Sequence, residues 1–223
     1  MARVAGRSEQ ARSNNRARLL EAAAVAFARH GLYRANINEI SLAAGLAKGT
    51  VYNYFPSKEA LFLAVVEEGC AWAAAADGVG AEVPTRERLR AAMAADLAWA
   101  IQHEPFARVL VRELFAGDDA FYRRMVAAGA PFTEHVGQIL RDGVVHGEVR
   151  GDLPVQQLAE IFAGLGVLGL VHHWGSGGTW LGLDELPGYL VDLFLEGARP
   201  RPARLGDGSI PGAGRPPQVR SRR

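Results

Sequence analysis

The apolar positions of this chain recur almost everywhere at helical intervals. Leu20, Ala23, Ala24 and Phe27 fall at i, i+3, i+4 and i+7, which places them on one stripe of a helix opening near Ser13. His30-Gly31 ends that stripe with a polar last turn and a glycine suited to the left-handed C′ position. A second helix is expected to start at Asn36, whose short amide makes a good N-cap, to carry Ile37, Ile40 and Ala44 on one face, and to stop at Gly45. After the break Gly45-Leu46-Ala47, a third helix is read from near Lys48 to just before Pro56, which cannot continue a helical ladder. Val51 and Phe55 are one turn apart and form its inner stripe, leaving Lys48, Thr50, Asn53 and Tyr54 on the remaining surface. Two short helices around a tight glycine-containing turn make a helix-turn-helix arrangement.

Ser57 is placed to cap a fourth helix, LFLAVVEEGCAWAAAA, that links this head to the rest of the chain. DGVGAEVPT (77–85) is a turn-rich joint, and the following segments are helices punctuated at Pro105, Gly117-Asp118, Pro131 and GEVRGDLP (147–154). No period-2 run of β-branched residues occurs, so no sheet is expected. The stretch 153–174 is apolar around most of its circumference and needs cover on several sides. Gly164, Gly166 and Gly169 within it each cost up to ~1 kcal/mol of helix propensity, an expense that close approach of another helix would offset. The fold class is therefore all-α, with a three-helix head over 13–60 and a helical bundle over 61–198. Residues 1–12 lack apolar periodicity and read as a disordered basic arm. Residues 199–223, rich in Pro, Gly and Arg, have little to bury and read as a disordered tail.

Composition narrows the function. With 223 residues, 49% of them apolar, the chain can bury a sizeable core without covalent staples. A lone Cys70 excludes an intramolecular disulfide, and no secretory signal pattern opens the sequence, so the expected compartment is the cytoplasm. The longest uncharged apolar run, 161–171, is shorter than the ~20 residues a bilayer demands, so no membrane association is expected. Net charge is +1, divided as +5 over residues 1–60, −10 over 61–198 and +6 over 199–223. A basic head on an acidic body fits a polyanion partner for the head alone. Lys, Thr and Tyr donate hydrogen bonds to phosphate, and a helix fits the ~12 Å major groove where base edges are legible. Catalytic and metal readings find no support. His172 and His173 are adjacent and point about 100° apart on a helix. Cys70 has no evident His partner, and GxSxG, P-loop and HExxH patterns are absent. No cofactor, metal or enzymatic activity is expected.

The run ANINEISLAAGLAKGTVYNYFPSKEALFLAV (35–65), with FARHGLY (27–33) before it, resembles the N-terminal domain of TetR-family transcriptional regulators. The resemblance implies DNA contacts at Asn38, Lys48, Gly49, Thr50, Tyr52, Asn53, Tyr54 and Lys58. Asn38 would touch a base or phosphate, with adenine the fitting base. Gly49 would let the backbone approach DNA, Thr50 and Tyr52 would meet phosphate or a base edge, and Lys58 would meet phosphate. Tyr54 stands where the family commonly has a phosphate-binding histidine. Asn36 replaces a usual threonine cap, and Ser41 a usual alanine.

The resemblance further implies a homodimer through the helices near 153–174 and 186–197. Its two recognition helices would lie about one DNA turn (~34–36 Å) or slightly more apart on a palindromic operator. It also implies an effector cavity in the body for a hydrophobic or aromatic small molecule, with Trp72, Trp99, His103, Phe106, Phe115, Phe132 and Trp174 as candidate lining. The leading expectation is a ligand-responsive regulator, a repressor released from its operator by the effector. The alternative is a helical small-molecule-binding protein or enzyme whose head serves as a nucleic-acid tether.

Overall fold

Nine α-helices and one 3-10 turn make up the described residues, 2–76, 78–177 and 179–198, of the computed structural model, and no strand occurs among them. Helix α1 (Ala2–Arg34) is broken at Gly31, whose φ of 72° supplies the left-handed conformation that the sequence assigned to it. The arm 1–12, expected to be disordered, is instead helical from Ala2. It holds Ala, Arg, Glu and Gln, which favour helix, and no proline, so the missing apolar stripe did not stop the helix. The tail 199–223 lies outside the described residues.

Helix α2 (Ile37–Ala43) is capped as expected, the Asn36 side chain accepting from the Asn38 N–H at 2.9 Å. The third helix departs from expectation. In its place stands a single 3-10 turn, Thr50–Asn53, preceded by Gly49 at φ 76°, so Lys48 and Gly49 lie in the turn before it. A left-handed residue at 49 prevents an α-helix from starting at 48, and Pro56 leaves room for about one turn downstream.

Helix α3 (Lys58–Ala76) starts at Ser57, whose hydroxyl accepts from the Ala60 N–H at 3.1 Å. There follow α4 (Thr85–Gln102), α5 (Glu104–Ala116), α6 (Asp119–Ala128), α7 (Ala130–Val145), α8 (Val155–Gly175) and α9 (Leu186–Ala198). Pro105 and Pro131 sit in the first turns of α5 and α7, where a missing N–H costs nothing. By length and composition α8 is apolar enough to cross a bilayer. Its buried Leu158, Ala159, Phe162 and Leu170, however, belong to the core of the bundle. Gly166 and Gly169 explain themselves there: a Cβ would meet Met93 at 3.1 Å and Leu186 at 2.8 Å.

The head does not close its core at residue 60. Phe62 of α3 meets Phe27 of α1 and Phe106 of α5, both at 5.2 Å between ring centroids, and Phe121 of α6 at 6.4 Å. One apolar cluster thus runs from Leu19 and Ile40 through Leu61 and Val65 to Val109 and Met125. A second cluster, built from α4, α7, α8 and α9, holds the bundle together. On its flank Arg88 of α4 donates to Asp142 of α7 at 2.8 Å, which holds that carboxyl below its ordinary range. The head is consequently seated directly on α3, α5 and α6.

Candidate nucleic-acid interface and internal cavity

Val51 and Phe55 are 1% and 6% exposed, and both pack in the cluster with Leu20, Phe27 and Ile40. With those two turned inward, the 3-10 turn must present its other side to solvent. Tyr52 is 58% exposed, and Lys48, Asn53 and Asn38 are exposed with it, while Thr50 and Tyr54 are half-buried. The turn is tied to α2 by a bond to Ser41, where the family usually has an alanine. Ser41 is fully buried, and its hydroxyl accepts from the Val51 N–H at 3.3 Å. An alanine there would leave that N–H without this partner. Above Gly49 a Cβ would meet nothing within 4 Å, so the glycine serves the positive φ, with open space over the backbone.

Two expected phosphate contacts are placed differently. The Lys58 ammonium donates to the carbonyl oxygens of Tyr33 and, at 3.4 Å, Ala35, capping the end of α1. Lys58 therefore positions α1 against α3 and has at most part of its donor capacity left for phosphate. The Tyr54 ring lies under the Arg12 guanidinium, 5.7 Å from the ring centroid, and Arg16 lies 5.8 Å from the Phe55 centroid. These two arginines bring positive charge from α1 to the rim of the turn, a contribution that for Arg12 the disordered-arm reading of residues 1–12 had hidden.

Within the body a cavity of about 260 Å³ is lined from six helices, α3 to α8. Val66 and Cys70 come from α3, Asp96 and Trp99 from α4, Leu110 and Leu114 from α5. Tyr122 and Val126 come from α6, Phe132 and Thr133 from α7, and Glu160 and Val167 from α8. Of the seven aromatic and histidine candidates, Trp99 and Phe132 line it. Phe115 and Trp72 are 74% and 45% exposed instead. Phe106 is spent in the head cluster around Phe62. His103 stacks on Trp99 at 4.7 Å and sits with Phe106 beside Ala24 and Val25 in a separate surface hollow. Trp174 lies under the Arg108 guanidinium, 4.6 Å from its centroid. Aromatic spacing alone could not separate ring faces that fill core from those that wall a void.

Asp96 was missed by the sequence reading. No hydrogen bond or ion pair engages its carboxylate among the described residues; the residue is half-buried on the cavity wall, and desolvation there pushes its pKa up to about 6. Its signal lay in the pattern: Leu89, Ala92, Met93, Leu97 and Ala100 define the buried stripe of α4, and an acid at 96 interrupts it. Burial likewise pushes the Cys70 thiol up to about 12, with Asp96 and Glu67 adding to the effect, so it stays neutral. The seat of Trp99 is equally specific, for a Cβ on Gly69 would meet its ring at 2.4 Å.

Comparison with known proteins agrees with this geometry. Residues 19–65 match the bacterial regulatory proteins of the tetR family, and residues 82–198 match the tetracyclin repressor-like C-terminal domain. The HTH-type transcriptional repressor AcnR of Corynebacterium diphtheriae is 27% identical over 188 residues, 84% of this chain and 93% of that protein. The HTH-type transcriptional regulator SrpR of Pseudomonas putida is 28% identical over 159 residues, 70% of this chain and 73% of that one. Among solved structures, FadR of Bacillus subtilis, in complex with stearoyl-CoA, superposes with a TM-score of 0.69 at 18% identity, covering 82% of this chain and 98% of that one. FadR of Thermus thermophilus, in complex with lauroyl-CoA, does so at 0.67 and 24% identity, covering 86% and 100%. A buried Val51–Phe55 anchor under an exposed polar turn, on an all-helical body matched across 82–198, places the chain in the TetR family of DNA-binding transcriptional regulators.

Proposed function

We propose that this protein is a homodimeric repressor that grips a palindromic operator through its two heads and is released by a small apolar molecule in the body cavity. The observation that carries the DNA half is the inward Val51–Phe55 pair, which leaves Lys48, Tyr52, Asn53 and Asn38 free to face a groove. Dimerisation is supported by apolar side chains left uncovered on α8 and α9. Ile161, Leu168 and Val171 on α8 and Tyr189 and Leu193 on α9 are 38–57% exposed, and Gly164 leaves open space beside them. Release is supported by α3, which contributes Val66 and Cys70 to the cavity while its first residue, Lys58, holds the end of α1. A ligand favouring one placement of α3 thereby favours one head spacing over another. The two FadR proteins, which bind acyl-CoA molecules, lend the fold a precedent for an apolar occupant.

The test is binding to the DNA upstream of the protein's own gene, followed by fluorescence anisotropy as salt is raised. Nanomolar affinity, a steep loss with salt and a strong preference over scrambled sequence are expected. Equal binding to both DNAs would turn the case toward a helical ligand-binding protein with a non-specific tether.

A further inference from the structure

The charge of the cavity is one-sided. None of its lining residues is Lys, Arg or His. The titratable groups that face it are Asp96 of α4, Cys70 of α3, Tyr122 of α6 and Glu160 of α8, and Glu160 is the solvent-exposed one of the two acids. Asp96 lies under α8, where a Cβ on Gly166 would stand 3.6 Å from its Oδ2. An ionised carboxylate without a partner, walled by Trp99, Leu110, Phe132 and Val167, costs free energy that an incoming cation would offset. An anionic head group brought to the same depth would add a second like charge to that cost.

We infer that the effector is a cation: an apolar body bearing a protonated amine that pairs with Asp96. This rests on the cavity being the effector site, as proposed above. At neutral pH the Asp96 carboxyl, at about 6, is largely ionised and ready for such a partner, while Cys70, at about 12, offers no competing charge. The apolar walls accept an alkyl or aryl body, and Thr133 adds a hydroxyl to the few polar groups.

Head groups on a common chain separate the possibilities. Full-length protein at pH 7.5 is titrated calorimetrically with decylamine, decanol, decanoate and decanoyl-CoA, in wild type and in Asp96→Asn. Decylamine is expected to bind about tenfold more tightly than decanol, with decanoate weaker than either, as a desolvated charge-assisted pair implies. Asp96→Asn is expected to remove the preference, bringing decylamine to no more than the level of decanol. Decanoate or decanoyl-CoA binding more tightly than decylamine in the wild type would overturn the inference while the effector site stands. An amine preference that survives in Asp96→Asn would overturn it as well. Failure of all four to bind would remove the cavity as an effector site and the inference with it.

Discussion

Replacing Asp96 with asparagine should stabilise the protein, and only above a defined pH. The carboxyl moves from an ordinary 3.8 to about 6 on folding because burial disfavours its charged form. A raised carboxyl pKa means that the folded state holds its proton longer than the unfolded chain. Below pH 3.8 both states are protonated and the penalty is absent; it accrues as pH climbs from about 4 to 6 and is complete above that. A displacement of about two pH units corresponds to ~3 kcal/mol at ~1.4 kcal/mol per unit. Asparagine carries its own desolvation cost, so a net gain of about 1–3 kcal/mol is expected at pH 8. For a chain of this size that raises Tm by roughly 2–10 °C. Thermal melts of both proteins, followed by circular dichroism in steps from pH 4 to pH 8, should show the two Tm values converging at the acid end. A variant less stable than wild type at pH 8, or an increment that does not change with pH, would refute an unpaired, desolvated carboxylate on the cavity wall.

Further outcomes follow from the same structure. Gly49→Ala forces a side chain into φ 76° at a cost of about 1–2 kcal/mol with no steric clash, so operator affinity measured by anisotropy should fall while the body's ligand binding is unchanged. Lys48→Ala should alter which operator bases are preferred in a selection experiment, whereas Lys58→Ala, by uncapping α1, should weaken all sequences alike and lower Tm. Gly69→Ala drives a methyl into the Trp99 ring and should shift tryptophan emission and weaken ligand binding at the cavity. Cys70, with its thiol raised to about 12, should resist iodoacetamide at pH 8 until denaturant exposes it.

The head was largely legible from sequence because its information is local. Asn36 as a cap, Gly31 and Gly45 at positive φ, and Val51 with Phe55 as anchors each follow from residue type and spacing over a few positions. The recognition segment misled for a local reason too: Gly49 reads equally well as a helical glycine or a left-handed one, and only the second shortens the helix to a 3-10 turn. The bonds Lys58 makes within the head were not legible because its partners, the carbonyls of Tyr33 and Ala35, lie more than twenty residues away, and periodicity does not reach that far.

The cavity was the least legible part. Trp99 and Phe106 are both aromatic and seven residues apart across the α4–α5 junction, yet Trp99 walls the void while Phe106 packs on Phe62, and tertiary packing alone decides between them. Asp96 was the readable exception: an acid on an otherwise apolar stripe marks a place where burial serves something other than stability. A list of aromatics overlooked it because it searched for what binds apolar matter rather than for what disturbs an apolar pattern.

Methylation protection of the upstream DNA tests the central claim most directly, since dimethyl sulfate attacks guanine N7 in the major groove. The account expects two clusters of protected guanines about one helical turn or slightly more apart, related by a two-fold, and requiring more protein to appear in Gly49→Ala. Protection confined to the minor groove, or none in the presence of saturating protein, would contradict a recognition turn held outward by Val51 and Phe55.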